Sequence, residues 1–174
     1  GGLDLAGEVL ARMPECRTAA DLGCGSGRML ATLGERAGTV IGVDNSARML
    51  EQAGKRLPEG VKASLRIGDL THLPLKDWEA DFALLSMALH HVSQPQEVLA
   101  EAARVLKSGG TLLIADFDKH EQESMREEYG DHWLGFDAGS LRSWLERNRF
   151  EVQEVAERPV NRGLTVLLVE ARKK

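Results

Sequence analysis

Three glycines at alternate positions follow an acid in the stretch AADLGCGSGRML, residues 19–30. Asp21 stands two residues before Gly23, and Gly25 and Gly27 complete the series. The small apolar residues before the acid and the apolar-periodic segment after the glycines predict a strand, a tight turn and the start of a helix. Glycine turns of this kind bind dinucleotides, phosphates and other small cofactors. The residues around the turn must therefore identify its ligand.

The spacing of the turn and the charge of Asp21 both oppose a dinucleotide. In the dinucleotide fingerprint the third glycine stands three residues after the second, whereas position 28 here is an arginine. A pyrophosphate would also lie near Asp21, and like charges about 4 Å apart cost about 4 kcal/mol at an effective dielectric near 20. S-adenosylmethionine reverses that sign, because its ammonium suits the acid while its carboxylate suits the turn amides and the helix dipole.

Further acidic or small polar residues end the later predicted strands. Asp44 closes TVIGVD, where an acid that binds a ribose diol belongs on this kind of fold. Asp69, in GDL, could accept a hydrogen bond from an adenine amino group, and Ser86 follows the fourth strand. Capping of the helix that starts at Ser46 is an alternative role for Asp44, and turn formation is one for Asp69.

Strand-like and helix-like segments alternate along the whole chain. Predicted strands cover residues 18–21, 39–44, 61–69, 80–89, 111–117, 150–160 and 164–172, and predicted helices cover 3–13, 28–37, 46–57, 95–106, 119–129 and 138–148. The last two strands are joined by too little chain for a helical crossover, so one of them must run antiparallel. The pattern predicts an α/β fold: a Rossmann-like three-layer sandwich with a mostly parallel seven-stranded sheet and one antiparallel strand near the C-terminus.

Composition narrows the class of protein. The 174 residues are 43% hydrophobic, which predicts a single domain over residues 1–174. A net charge of -5 without a basic block argues against a nucleic-acid partner. Without a long apolar run or a leader-like segment, we expect a soluble, cytoplasmic protein with no membrane partner. Cys16 and Cys24 form no CxxC motif, so neither a zinc site nor a disulfide framework is expected.

Five segments, in this order, resemble class I S-adenosylmethionine-dependent methyltransferases: DLGCGSG, VIGVDNSARMLEQA, GDLTHLPL, ADFALLSMALHHV and EAARVLKSGGTLLIADF. The resemblance covers roughly residues 15–117, and the order of the segments is more specific than any one of them. It implies that the acid and the glycines of the turn hold the methionine end, that the second acid holds the ribose, and that Asn45 and Met49 flank the adenine, whose edge meets Asp69 and Leu70. The predicted cofactor-binding residues are Asp21, Gly23, Gly25, Gly27, Asp44, Asn45, Met49, Gly68, Asp69, Leu70 and Ser86.

The segments LHHV and ADFDKHEQESMREEYGDHWLGF carry a narrower resemblance. They are similar to methyltransferase domains fused behind winged-helix repressors of the arsenic-sensing type, and more loosely to quinone-biosynthesis C-methyltransferases. The first likeness implies that the chain is a domain or a short relative without the repressor part. The fourth strand is not followed by the DPPY or NPPY tetrapeptide of enzymes that methylate base amino groups, and two cysteines are too few for an arsenic acceptor.

The sequence therefore predicts transfer of a methyl group to a small-molecule acceptor. Its alternative is a domain that senses S-adenosylmethionine without turnover, while a nicotinamide-dependent oxidoreductase is disfavoured by Asp21 and the glycine spacing. Methyl transfer needs a general base only when the acceptor must lose a proton.

Histidines after two of the strands are the first candidates for such a base. In an extended segment His90 and His91 would face opposite sides, so only one would face the pocket. His91 and His120 are the candidate catalytic residues, with packing or capping as their alternative roles, and other candidates further along are Asp118, Tyr129 and His132. The spacing of the histidines supports no metal-ligand set, so no metal is expected.

Overall fold

The computed structural model describes residues 2–129 and 131–174, which form alternating strands and helices. The strands are β1 Cys16–Leu22, β2 Ala37–Asp44, β3 Ala63–Ile67, β4 Ala80–Ser86, β5 Leu106–Phe117, β6 Phe150–Pro159 and β7 Thr165–Lys173. The helices are α1 Leu5–Leu10, α2 Leu30–Gly34, α3 Ala47–Arg56, α4 Pro95–Val105, α5 Ser124–Tyr129 and α6 Ala138–Arg147. Within the described residues, no helix is both long and apolar enough to cross a bilayer.

All seven strands belong to one sheet, in the order β3-β2-β1-β4-β5-β7-β6. Neighbours from β3 through β5 run parallel, and β7 runs antiparallel to both β5 and β6. The carboxyl ends of the five parallel strands therefore meet at one edge of the sheet, where ligands bind in open α/β folds. The predicted Rossmann-like fold with one antiparallel strand is confirmed.

Hydrophobic clusters cover both faces of the sheet. In β4, Phe82 and Leu84 pack into one cluster, whereas Ala83 and Leu85 pack into the other. Successive side chains of a strand point to opposite faces, so a strand with both faces covered needs a continuous apolar sequence. This requirement explains the run ADFALL within β4.

Side-chain caps fix the starts of two helices. The Ser46 hydroxyl accepts from the Met49 amide at 3.2 Å before α3, and the Asp137 carboxylate accepts from the Ser140 amide at 2.8 Å before α6. The polar helix predicted over 119–129 begins only at Ser124. The residues before α5 are instead tied to other segments, because the amides of residues 118 and 120 donate to the carbonyls of residues 165 and 134.

The fourth strand ends earlier than its apolar run. β4 stops at Ser86, Met87 takes a left-handed conformation with φ 53°, and Leu89–His91 form a 3-10 turn. A left-handed backbone is uncommon for a residue other than glycine and is typical of functional sites. The Met87 amide donates to the Ala115 carbonyl at 2.7 Å, so β5 holds this turn in place.

Replacement of Gly27 tests how tightly α3 packs on the glycine turn. Its φ is 84°, and an added Cβ would lie 2.8 Å from the Ala53 Cβ, whereas Gly60 has a similar φ of 88° and open space around it. Left-handed strain costs roughly 1–2 kcal/mol in either alanine variant, and overpacking adds roughly 1–3 kcal/mol only in Gly27→Ala. Urea unfolding should therefore show the larger loss of stability for Gly27→Ala. Equal losses in Gly27→Ala and Gly60→Ala would contradict the close contact.

Candidate functional site

Asp44 joins the glycine turn to the start of α3. Its Oδ2 accepts from the Gly25 amide and its Oδ1 accepts from the Ser46 amide, both at 2.9 Å. The carboxylate therefore has the local capping role that the sequence left open. It also lines the cleft described below, so capping and ligand binding are compatible.

Several amides of the glycine turn are engaged by the protein itself. Gly23 and Cys24 donate to the Val43 carbonyl at 2.8 Å, and Gly27 donates to the Cys24 carbonyl at 3.0 Å. With the Gly25 amide described above, four N–H groups of the turn already have acceptors. Binding of a ligand carboxylate by the remaining amides of the turn therefore stays a prediction. The helix that follows the turn, α2, is only five residues long.

Asp21 is buried at the carboxyl end of β1, with 3% of its surface exposed. Burial, together with the charge of Asp44, raises the pKa of Asp21 to about 7. Burial and the same two carboxylates raise the pKa of Cys24 to about 12, so this thiol stays protonated and is no nucleophile. The turn therefore carries excess negative charge, which a cationic ligand group would neutralise.

A polar cleft of about 500 Å³ lies in front of these strand ends. Its lining includes six of the residues predicted to bind the cofactor: Gly23, Asp44, Asn45, Gly68, Asp69 and Leu70. Sequence reasoning missed several other lining residues that follow the strands in loops: Thr71, Ala88, Val92, Ser93 and Gln94. The volume of the cleft suits a nucleoside-sized ligand. The carboxylates of Asp44 and Asp69 and the side-chain amide of Asn45 provide acceptors for ribose hydroxyls and an adenine amino group. The chemistry of the cleft therefore fits S-adenosylmethionine.

Asp69 presents an ionised carboxylate to this cleft. Its Oδ1 accepts from the amide and the hydroxyl of Thr71, both at 2.8 Å, and these hydrogen bonds hold the pKa of Asp69 below its usual value. Turn formation and ligand binding are again compatible. Met49 lies on the first turn of α3 with 36% of its surface exposed, and its predicted contact with adenine stays a prediction.

A second cavity, of about 520 Å³, lies beside the cleft. Its walls are mostly apolar side chains from both ends of the chain and from β5, β7 and α5: Leu3, Leu5, Phe117, Met125, Val160, Leu164 and Val166. Ser86, predicted to contact the cofactor, lines this cavity. Met87 and His91 line both the cavity and the cleft, so the two spaces meet at the end of β4.

Both consecutive histidines line the second cavity, against the expectation that only one would face a pocket. That expectation assumed an extended segment, whereas the residues form a 3-10 turn. The Nδ1 atom of His90 lies 2.6 Å from the Asp116 Oδ1, and its amide donates to the Asp116 Oδ2 at 3.2 Å. Burial lowers the pKa of His90, but the bond to Asp116 and the nearby carboxylates outweigh burial and leave this pKa raised.

Asp131 completes the polar end of the second cavity. Its side chain is 0% exposed, and its Oδ1 lies 3.5 Å from the His90 Nε2 and 3.4 Å from the His91 Nδ1. Among the described residues, neither carboxylate oxygen of Asp131 has a hydrogen-bond partner. Sequence reasoning missed Asp131 and Asp116. An acid inside the apolar run TLLIADF was the available signal for Asp116.

The remaining candidate bases lie in different surroundings. His120 packs edge-on against Phe117, and its Nδ1 accepts from the Gln122 amide at 3.2 Å. Burial lowers the pKa of His120. His132 lines the cleft, whereas the Asp118 carboxylate accepts from the Lys119 amide at 2.9 Å, and the Tyr129 side chain lies outside the described part of the structure. Catalytic roles for His91 and His120 stay predictions.

The fold is Rossmann-like, and the cleft has the volume and the polar lining that suit a nucleoside cofactor. The model of the methyltransferase domain family matches residues 20–114, so the chain belongs to that family. The cleft suits S-adenosylmethionine, the cofactor that the sequence predicted.

Relatives and a solved structure agree with this assignment. A 37.1 kDa protein in a transposon of Streptomyces fradiae is 35% identical over 84% of this chain and 39% of that protein. Demethylmenaquinone methyltransferase of Clavibacter sepedonicus is 33% identical over 63% of this chain and 44% of its own. This chain thus spans less than half the length of these two relatives. A solved S-adenosylmethionine-dependent methyltransferase from Mesorhizobium loti shares the fold, with a TM-score of 0.81, 21% identity and 96% of each chain covered.

The raised pKa of Asp21 predicts that cofactor affinity depends on pH. Below about pH 7 the cofactor-free protein holds a proton on this carboxyl, and a ligand ammonium must displace that proton. Calorimetric affinity for S-adenosylhomocysteine should therefore fall by up to about tenfold per unit as pH drops below 7. Asp69→Asn is the matched control. The pKa of the Asp69 carboxyl is lowered in the wild type, so this group stays ionised over the tested pH range and the variant should keep the wild-type pH profile. Constant wild-type affinity between pH 6 and 8 would refute the link.

The raised pKa of Asp21 also predicts that this carboxylate lowers the stability of the cofactor-free protein while it strengthens cofactor binding. The folded pKa of Asp21, about 7, exceeds the ordinary value of 3.8, so the folded state holds an extra proton between these values. Stability from this group is present at low pH and is lost as pH rises through 7. Asp21→Asn should raise the melting temperature of the cofactor-free protein at pH 8 and weaken S-adenosylhomocysteine binding. A lower melting temperature with unchanged binding would contradict this role.

Proposed function

We propose that this chain transfers the methyl group of S-adenosylmethionine to a small, largely apolar acceptor held in the second cavity. The observation that carries the proposal is the contact of Met87 and His91 with both spaces. A donor in the cleft and an acceptor in the cavity would meet there. Methyl transfer is a displacement, which depends chiefly on alignment of the two molecules and exclusion of water.

The chain's own residues would supply that alignment. S-adenosylmethionine supplies a methyl group on a positively charged sulfur. Asp44 and Asp69 would orient its nucleoside part, and Asp21 would pair with its ammonium. On the acceptor side, the apolar side chains of Phe117 and Val166 exclude water from the reacting atoms.

The polar end of the second cavity indicates an acceptor with one ionisable group. His90, His91 and Asp131 are the ionisable side chains grouped there, opposite apolar walls. A hydroxyl or thiol seated at this end would lie beside His91, the candidate base at the junction. A cavity of about 520 Å³ and a net charge of -5 favour a small molecule over a nucleic acid. The cytoplasmic location stays a prediction.

The alternative function, sensing S-adenosylmethionine without turnover, gains less support from the geometry. A sensor needs the cleft but has no use for a second cavity that opens beside the reacting end of its ligand. Leu3 and Leu5, which precede β1, contribute to the wall of that cavity. The segment before the first strand therefore helps to enclose an acceptor.

Transfer of a labelled methyl group separates the two functions. The chain, incubated with methyl-labelled S-adenosylmethionine and a small-metabolite extract, should place label in an apolar, solvent-extractable product. Calorimetry with S-adenosylhomocysteine on the same preparation serves as the control for cofactor binding. Binding without any labelled product across extracts would favour the sensor, and absence of binding at millimolar ligand would refute both.

A cavity-filling variant tests where the acceptor binds. Val160 is half-buried in the wall of the second cavity, so Val160→Trp should occupy acceptor space without a new buried polar group. We expect labelled product to fall at least about tenfold, since an acceptor that loses about 1.4 kcal/mol of binding loses that factor. Affinity for S-adenosylhomocysteine should be unchanged. Full activity in this variant would place the acceptor elsewhere.

A further inference from the structure

We infer that His90, His91 and Asp131 form a binding site for a divalent metal cation of the zinc class at the polar end of the second cavity. The three ligand atoms all lie within 4.8 Å of one another. The sequence argued against a metal because the spacing of the histidines supports no metal-ligand set. Asp131, far along the chain, supplies a third ligand beside His90 and His91. The role of the cation toward the acceptor rests on the proposed function, whereas the cation site itself does not.

The distances between the ligand atoms suit such a cation. The Asp131 Oδ1 lies 3.5 Å from the His90 Nε2 and 3.4 Å from the His91 Nδ1. Zinc bonds to nitrogen and oxygen are about 2.0–2.2 Å long, so two ligands of a tetrahedral ion stand roughly 3.3–3.6 Å apart. These separations are too long for good hydrogen bonds but leave room for an ion between the atoms.

The partner of His90 prepares this ring to act as a ligand. Asp116 accepts at the Nδ1 side, 2.6 Å away, which places a proton on Nδ1 and turns the Nε2 lone pair toward Asp131 in the neutral ring. A histidine that ligates a metal commonly donates its other ring N–H to a carboxylate in this way. In the neutral ring the Nε2 lone pair would face a carboxylate oxygen, a repulsive arrangement that either a proton on Nε2 or a metal cation relieves.

The burial of Asp131 is the second, independent observation. Its side chain is 0% exposed, it lines the cavity, and within the described part of the chain neither oxygen has a hydrogen bond. A buried carboxylate without a hydrogen-bond donor is unfavourable, and Asp116 adds a second buried acid behind His90. A divalent cation neutralises both charges, whereas a single proton on His90 neutralises only one.

Three protein ligands leave one position of a tetrahedral ion open toward the apolar cavity. Catalytic zinc sites keep such a position, and a bound hydroxyl or thiol loses its proton more readily there. Two imidazoles and one carboxylate suit zinc, cobalt or iron better than magnesium or calcium. The acceptor class is therefore a small apolar molecule with a thiol or hydroxyl, whose proton leaves to solvent when the group binds.

Cobalt is the direct probe, because tetrahedral Co²⁺ absorbs visible light. The full chain, stripped with a chelator, should bind one Co²⁺ with intense visible absorption, and Zn²⁺ should abolish that signal by displacement. Asp131→Asn and His91→Gln should each weaken Co²⁺ binding by about 100-fold or more, because each removes one of three ligands. His72→Gln is the matched control, since it removes an exposed histidine outside the cluster.

Two further measurements distinguish loss of a metal ligand from loss of folding and from loss of cofactor binding. Asp131→Asn keeps the size of the side chain and removes its charge, so the melting temperature of the metal-free variant, measured beside that of the metal-free wild type, shows whether the variant folds, and loss of cobalt binding in a folded variant reflects a lost ligand. S-adenosylhomocysteine binding reports on the cleft separately. Co²⁺ binding that is equally weak in wild type and Asp131→Asn overturns the metal site, even if S-adenosylhomocysteine still binds. Loss of label transfer with cobalt binding intact would instead count against the proposed function.

Discussion

Buried negative charge at one edge of the sheet is the constraint on which the site depends. In the described part of the chain the buried polar or charged side chains are Asp21, His90, Asp116 and Asp131. His90 and Asp131 line the second cavity, Asp116 contacts His90, and Asp21 lies at the carboxyl end of β1. A buried carboxylate costs several kcal/mol unless a cation or hydrogen-bond donors compensate it. Elsewhere charges are paired near the surface, as in the Arg66–Glu79 bridge at 2.9 Å. The buried carboxylates of the fold therefore lie where a bound ligand or cation can neutralise them.

The backbone that joins the two cavities is held by the neighbouring strand. The left-handed Met87 and the 3-10 turn after it would be unfavourable alone. β5 stabilises them twice, through the Ala115 carbonyl at 2.7 Å and through the Asp116 carboxylate at the His90 amide. The same carboxylate also orients the His90 ring. The position of the junction and the chemistry at the polar end thus depend on two consecutive residues of β5.

Sequence predicted the parts of the structure that local patterns determine. The end of β2 at Asp44, the helix that follows Ser46 and the antiparallel C-terminal strand all follow from periodicity, residue type or loop length. The third strand ends at Ile67, two residues before the predicted end at Asp69. The His90–Asp131 pair could not be predicted, because it depends on packing between a turn after β4 and a loop after α5. The late start of α5 also involves tertiary contacts, since hydrogen bonds tie the residues before it to other segments.

Exclusion of water from the second cavity would have two opposite effects on methyl transfer. Exclusion of water strengthens the attack of a charged nucleophile on a sulfonium, yet burial in apolar surroundings raises the pKa of a hydroxyl or thiol and keeps it protonated. The carboxylates of Asp116 and Asp131 would raise that pKa further if they acted alone, since like charges oppose ionisation. An acidic cluster at this place helps an acceptor ionise only when positive charge lies between the carboxylates and the acceptor. The two imidazoles of the cluster can hold that charge, as a proton or as a bound cation, and the Arg162 guanidinium also lines the cavity.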